Sequence, residues 1–304
     1  MIINYRELFR ALGISFTKAF KWNVWKWLLT SSIGAFSGTL KFGERFFDLD
    51  LERSVKYAVI VLIGLFFLRF TLIFIKESFK YFHETYRNSV FGEAIIILKD
   101  SFANTHAYRK NPGHDDTEFM RIMMTFCNNL RDIYNKITDG ECSVSIKVPK
   151  YDPNVTEHTV LMNLTRDVKH NGRDTQQYSD TKHTLIGNTA FTYCFNKVMT
   201  NTKEKHYVNN NINETDNYES TSKDCHENGI LPYNSELVIP IVPIKSDKLE
   251  NNDCHGFLCI DCVKKGAFKS KYEIALLEGV ADGIYDLISE RNNFNTKKQT
   301  GNGN

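Results

Sequence analysis

The sequence lacks an excess of either charge. Its 38 Lys and Arg against 36 Asp and Glu leave a formal net charge of +2 over 304 residues, and the two signs are interspersed, so the basic face of a nucleic-acid-binding protein is missing. No cysteine precedes Cys127. The seven cysteines from there on are an odd number without a secreted disulfide framework, and they read as reduced thiols of a cytosolic domain. A secretory signal is also absent: a long charged segment precedes the first compact apolar run and no small-residue cleavage site follows it, so the apolar region is expected to stay in the mature chain. No glycine-rich phosphate loop, histidine-metal helix, kinase signature, nucleophile turn or ordered carboxylate pair appears. The expectation is a protein of about two folding units with no catalytic residues and no enzymatic activity.

What the sequence does hold begins with a long apolar run. From Tyr57 to Ile75 the only charge is Arg69; as a helix rising about 1.5 Å per residue the run extends about 28 Å, close to the hydrocarbon thickness of a bilayer. A second, weaker span is expected over Trp22–Leu40. There Trp22, Trp25 and Trp27 suit an interfacial belt, small hydroxyl residues can bond back to their own helix, and Gly34 with Gly38 form a small-xxx-small packing face. The alternative for that segment is an amphipathic helix lying in the interface, with Lys18, Lys21 and Lys26 toward the headgroups. Two spans make a transmembrane hairpin over residues 22–75, behind an N-terminal segment of residues 1–21. The Lys and Arg distribution does not decide the orientation. The cysteines place both termini in the cytosol, which makes the chain a multi-pass protein of the cell (inner) membrane. Arg69 is expected either to snorkel to the headgroups or to face a partner helix or an aqueous path.

Residues 76–115 read as a linking helix, with Phe79, Phe82, Tyr86 and Val90 at helical spacing, ended by Asn111-Pro112-Gly113. The row serves either packing against the neighbouring domain or a parallel dimer seam. A helix capped by Asp116 or Thr117 then runs to about Ile137 and ends at the Asp139-Gly140 turn. Strands are expected over Cys142–Val148 and Thr159–Leu164, a helix over Leu185–Val198, and a long polar surface loop over Thr200–Asn234. Two more strands follow, Glu236–Ile244, whose prolines suggest an edge or a bulge, and Gly256–Val263. A helix over Ser270–Ser289 is expected beside the opening helix on one side of the sheet, and a disordered tail over residues 291–304.

This order, helix, two strands, helix, long loop, two strands, helix, resembles the GAF domain, a ligand-sensing α/β (α+β) fold built on an antiparallel sheet. Ser235–Ile241 is similar to the family's strand ending in a proline-apolar pair, and Gly256–Asp261 to its glycine-opened penultimate strand. Leu185-Ile186-Gly187 and Tyr207-Val208-Asn209 fall where family members have similar segments. The resemblance covers residues 116–290. It implies a pocket between the sheet and the middle helix with its following loop, and it nominates Phe191, Phe195, Tyr207 and Asn209 as ligand-binding residues; it names no cofactor. Asn196-Lys197 resembles the start of the cyclic-nucleotide signature, but the downstream Phe and Asp-Glu pair do not follow. No cysteine sits in a bilin-attachment context.

Cys254, His255, Cys259 and Cys262, with Cys225-His226, superficially invite a metal. Residues three apart on a strand point to opposite faces, so Cys259 and Cys262 are expected to be buried hydrophobes and no metal site is expected. Three functions fit the sequence. One is a membrane-anchored regulatory sensor whose domain binds a small ligand or partner and couples it to the hairpin. Another is a membrane-disrupting or pore-forming effector, as in bacterial defence systems of similar layout. The last is a dimerising scaffold without a ligand. The expected partners are the lipid bilayer and a second copy or more of the chain, and not nucleic acid.

Overall fold

The computed structural model describes residues 51–110, 115–150, 160–174, 183–244 and 253–301, together with scattered positions before residue 42. Most of Trp22–Leu40, and with it the expected first span, lies outside the described residues; Gly34 and Gly38 are helical and exposed. The chain divides into two units, residues 1–89 and 90–304.

Helix α1, Leu51–Arg109, contributes to both units. It contains no proline, which removes the commonest cause of a break or kink. In the first unit its apolar run leaves Ile60, Phe67, Leu68 and Leu72 exposed, and Thr71 donates its hydroxyl to the Phe67 carbonyl at 2.8 Å. Among the described residues this is one helix long and apolar enough to cross a membrane.

In the second unit the Val90–Arg109 part of α1 buries Ala94 and Leu98. Helix α2, Asp116–Thr138, is capped by Asp115, whose side chain accepts from the Thr117 amide at 2.9 Å. The cap lies one residue ahead of the expected Asp116. Removing it as Asp115→Ala is expected to cost about 1 kcal/mol, read as a lower urea midpoint with the fold retained. The turn after α2 is as expected, with Asp139 left-handed at φ 52.

Among the described residues six strands make one antiparallel sheet: β1 Cys142–Lys150, β2 Val160–Arg166, β3 His183–Thr184, β4 Tyr207–Asn209, β5 Ser235–Pro240 and β6 Phe257–Cys262. Their order is β3-β2-β1-β6-β5-β4, which makes β1 and β6 the central pair. Period-2 alternation gives the sheet two faces. Val144, Ile146, Leu237, Ile239, Leu258 and Ile260 pack on one of them with α1, α2 and α4, Lys271–Gly301. Phe102 meets Phe126 edge-on at 5.1 Å, and Tyr134 donates its hydroxyl to the Glu273 carbonyl. The opening and closing helices therefore share one face, as the sequence implied. The other face carries α3, Thr189–Met199, in a smaller cluster of Leu161, Leu185, Phe191, Cys194, Val238, Phe257 and Cys259.

Four expectations are corrected. The middle helix starts at Thr189 rather than Leu185, because His183 and Thr184 pair with β2 and Gly187 turns the chain at φ 92. The Thr200–Asn234 segment is not a solvated loop. It contains β4 and short 3-10 turns, and it buries Ile212, Tyr218, Leu231 and Tyr233 together. Its asparagines replace sheet bonds: Asn213 donates to the Leu231 and Tyr233 carbonyls at 3.2 and 3.0 Å, and Asn210 bonds both backbone groups of Phe268. β5 is neither edge nor bulge, since β4 and β6 flank it. Pro240 is its last residue and Pro243 lies beyond, so neither interrupts the ladder. Finally, α4 continues past Arg291 to Gly301, where a disordered tail was expected.

Candidate functional site

On the face of the sheet under α3, the polar phase of the strands is buried. Ser143, Ser145 and Lys147 alternate along β1, and all three are buried. Register sets Ser143 opposite Asp261 on β6, and Asp261 opposite Glu236 on β5, which in turn pairs with Asn209 on β4. Two carboxylates thus lie side by side across neighbouring strands. Glu236 is 5% exposed. Burial, reinforced by the charge of Asp261, pushes its carboxyl up to about 8, while the Tyr218 hydroxyl and Lys147 pull it the other way.

Tyr218 comes from the 200–234 segment. It is buried and donates its hydroxyl to Glu236 Oε2 at 2.7 Å; burial, and then the Glu236 charge, raises its own pKa far above the usual phenol value. The Lys223 amino group donates to the Tyr218 carbonyl at 2.6 Å and lies 5.3 Å from the ring centre. The segment is stitched to the N-terminus of α3. Asn188 accepts from the Thr221 amide at 3.0 Å and donates to the Thr184 carbonyl at 2.6 Å, and Thr189 accepts from the Glu219 amide at 2.9 Å. On the β1 side, Lys147 donates to Asn163 at 3.4 Å and Arg166 to Ser143 at 3.1 Å. The result is a half-polar, half-apolar surface in which two acids and two bases share one sheet face. Burying charge this way adds little stability compared with an apolar core, which makes the cluster a candidate binding site.

No family model matches the chain, and no curated protein does. Solved structures that it resembles include the GAF domain of a phosphoenolpyruvate-protein phosphotransferase from Coxiella burnetii, with 16% identity and a TM-score of 0.42 over 67% of this chain and 98% of that one. The corresponding GAF domain from Acinetobacter gives 12% identity and 0.40 over 68% and 98%. A type II free methionine-R-sulfoxide reductase from Thermoplasma acidophilum gives 18% and 0.35 over 57% and 95%. The element order and the single antiparallel sheet, rather than these scores, carry the assignment of fold. The domain is GAF-like.

The GAF-like domain places the four nominated residues in two roles. Phe191 is core: it is 5% exposed and packs on Phe257 with ring centres 5.0 Å apart. Phe195 packs at the margin of the same cluster. Tyr207 packs against that cluster as well, and Asn209 beside it stands opposite Glu236. Asn209 donates to the Tyr207 hydroxyl at 3.2 Å and to Thr215 at 3.0 Å, and Tyr207 meets Tyr193 at 5.5 Å. Sequence reasoning missed Glu236, Asp261, Lys147 and Tyr218. The signal was there in part: Ser143, Ser145 and Lys147 hold the alternate phase of an apolar strand, Asp261 interrupts an apolar run and Glu236 stands at the head of one.

Cys259 and Cys262 face opposite sides as expected, Cys259 in the cluster beneath α3 and Cys262 in the helix-covered core. The His255 ring stacks on Tyr285 at 4.8 Å. Among the described residues no group of three or more His, Cys, Asp or Glu is arranged to hold a metal. The side chain of Cys225 lies outside the described residues.

Proposed function

We propose that this chain is a membrane-anchored sensor without enzymatic activity, whose GAF-like domain holds a small polar ligand between the Glu236-Asp261-Lys147 face and the Tyr218 segment. The observation that carries this reading is the acid pair, with buried Glu236 set beside half-buried Asp261. The charge of Asp261 helps to keep Glu236 protonated, and a ligand offering a cationic group or further hydrogen-bond donors would favour the ionised pair. Because Tyr218 reaches Glu236 from a segment tied to α3, a ligand competing for the carboxylate would shift that segment. A ligand moves such an equilibrium only by its difference in affinity for the two arrangements.

The anchor is a two-span hairpin over residues 22–75 with both termini in the cytosol. The uncovered apolar run of α1 supports a span, and free cysteines in the domain suit a reducing compartment. Phe79, Phe82 and Tyr86 stand exposed at helical spacing on α1, at 71%, 37% and 55%, and this row supports a homodimer or higher homo-oligomer.

The test is thermal denaturation of the full chain in detergent against amino acids, nucleotides and divalent metals. A compound that binds only the native state must raise its apparent stability, by about 2.7 kcal/mol at a hundred times its Kd. The expected result is a compound that raises Tm in the wild type and loses that effect in Glu236→Gln and Tyr218→Phe. A stabiliser equally effective on both variants would move the site elsewhere, and a library without any stabiliser would favour the scaffold.

A further inference from the structure

Outside the ligand face, one pair of reactive groups has no part in the proposed function. Cys142 on β1 and Cys262 on β6 are direct cross-strand neighbours. The Val263 amide donates to the Glu141 carbonyl at 3.0 Å, so residues 141 and 263 form a hydrogen-bonded pair of the ladder. Cys142 and Cys262, one step along, then form a non-hydrogen-bonded pair, the position at which facing side chains come closest. The Cα separation of such pairs, about 4.5 Å, falls inside the range of about 4.4 to 6.8 Å that a disulfide spans. Both sulfurs lie on the same face and share a contact: Cys142 Sγ is 3.4 Å and Cys262 Sγ 3.8 Å from the Thr138 hydroxyl.

We propose that Cys142 and Cys262 are a dithiol modification site, closed by hydroperoxides into a reversible cross-strand disulfide that locks the end of the central strand pair. The site is shaped for it. Gly140 packs closely over the pair, since a Cβ there would meet Cys262 Sγ at 3.0 Å. The Lys264 amino group, fixed by the Thr138 carbonyl at 2.8 Å, supplies positive charge beside it. The two thiols are unequal: a hydrogen bond from Cys142 holds Cys262 down to about 6, helped by Thr138 and Lys264, while Cys142 is raised. Cys127, Cys194 and Cys259 are all pushed up, chiefly by burial, and so are poor nucleophiles. Cys262 is buried, but the covering turn is at the surface, with the Asp139 side chain 99% exposed.

In the reaction, the Cys262 thiolate attacks the peroxide O–O bond and becomes a sulfenic acid, and the departing hydroxide takes up a proton to leave as water. The Cys142 sulfur then displaces the sulfenic hydroxyl, which leaves as a second water with the Cys142 proton. The S–S bond forms as two thiols are oxidised and one peroxide is reduced.

The experiment treats the native full chain in detergent with hydrogen peroxide, removes the peroxide, unfolds the chain in the presence of N-ethylmaleimide to block remaining thiols, digests without reduction and maps the peptides by mass spectrometry. A Cys142–Cys262 linked peptide that dithiothreitol reverses is expected, with Cys127, Cys194 and Cys259 blocked by the maleimide. In Cys142→Ser, Cys262 is expected to stop at the sulfenic acid and to be trapped by dimedone. Recovery of Cys142 and Cys262 as maleimide adducts after peroxide treatment, or of Cys262 joined to any other cysteine, would overturn the proposal. The assay on the wild-type chain is independent of the ligand site and of whether either variant folds.

Discussion

Gly256→Ala is expected to remove most of the stability of the GAF-like domain. Gly256 sits at φ +141, and a Cβ there would lie 2.1 Å from the Lys147 carbonyl oxygen. That conformation is nearly closed to other residues and costs about 1–3 kcal/mol by itself. The clash is with backbone, in the central pair of the sheet, where Lys147 opposes Phe257, so no side chain can swing away to relieve it. Ile241 also donates to the Gly256 carbonyl at 2.8 Å, which ties the same residue to the end of β5. A loss of more than about 3 kcal/mol is a large part of the ~5–15 kcal/mol that holds a typical domain folded. Gly229→Ala is the control, because Gly229 also has positive φ, +66, but nothing closer than 3.9 Å to its built Cβ; it should cost far less. Urea denaturation of both variants gives the comparison, and similar midpoints would contradict the close approach of Gly256 to the Lys147 carbonyl.

Glu236→Gln is expected to act in the opposite direction, stabilising the domain above neutral pH. The folded carboxyl titrates at about 8, whereas an unfolded glutamate titrates near 4.3. Between those values the folded state keeps a proton that the unfolded chain releases, so stability falls as pH rises, and the whole cost is present above about 8. Glutamine cannot ionise, yet its oxygen still accepts from Tyr218. The variant should therefore match the wild type near pH 4 and exceed it at pH 9 by on the order of 2 to 4 kcal/mol. Parallel stability curves across that range would show that Glu236 is ionised at neutral pH and is stably paired. A side chain whose charge lowers stability, together with loss of ligand protection in the same variant, would mark a residue held for binding rather than for folding.

Much of the fold was legible because its signals are local. The apolar run of α1, the Asp139-Gly140 stop, the alternation of β1 and the glycine before β6 are each set by residues a few positions apart. The segment between α3 and β5 was not legible for the same reason. Ile212, Tyr218, Leu231 and Tyr233 follow no helical or strand period, and the asparagines between them resemble solvent-facing filler until their bonds to Leu231, Tyr233 and Phe268 are seen. The prolines of β5 misled because a proline's effect depends on where the strand stops, and Pro240 is its last residue.

The candidate site divides in the same way. Phe191 and Phe195 were nominated by the GAF resemblance, and their helical spacing shows only that they share a face, not whether that face meets a ligand or a core; the contact with Phe257 makes Phe191 core. Tyr207 and Asn209 came from the same resemblance and stand opposite Val238 and Glu236 of β5. The sequence by itself determined the four longer strands, the cores of the helices and their amphipathic phases, since these follow from backbone periods of 3.6 and 2.0 and from where glycine and proline interrupt them. Only the tertiary structure decided which polar phase is buried, that Glu236 stands beside Asp261, that Tyr218 crosses to meet it and that Cys142 faces Cys262. Each of those depends on strand order and register between segments tens of residues apart, which no local period encodes.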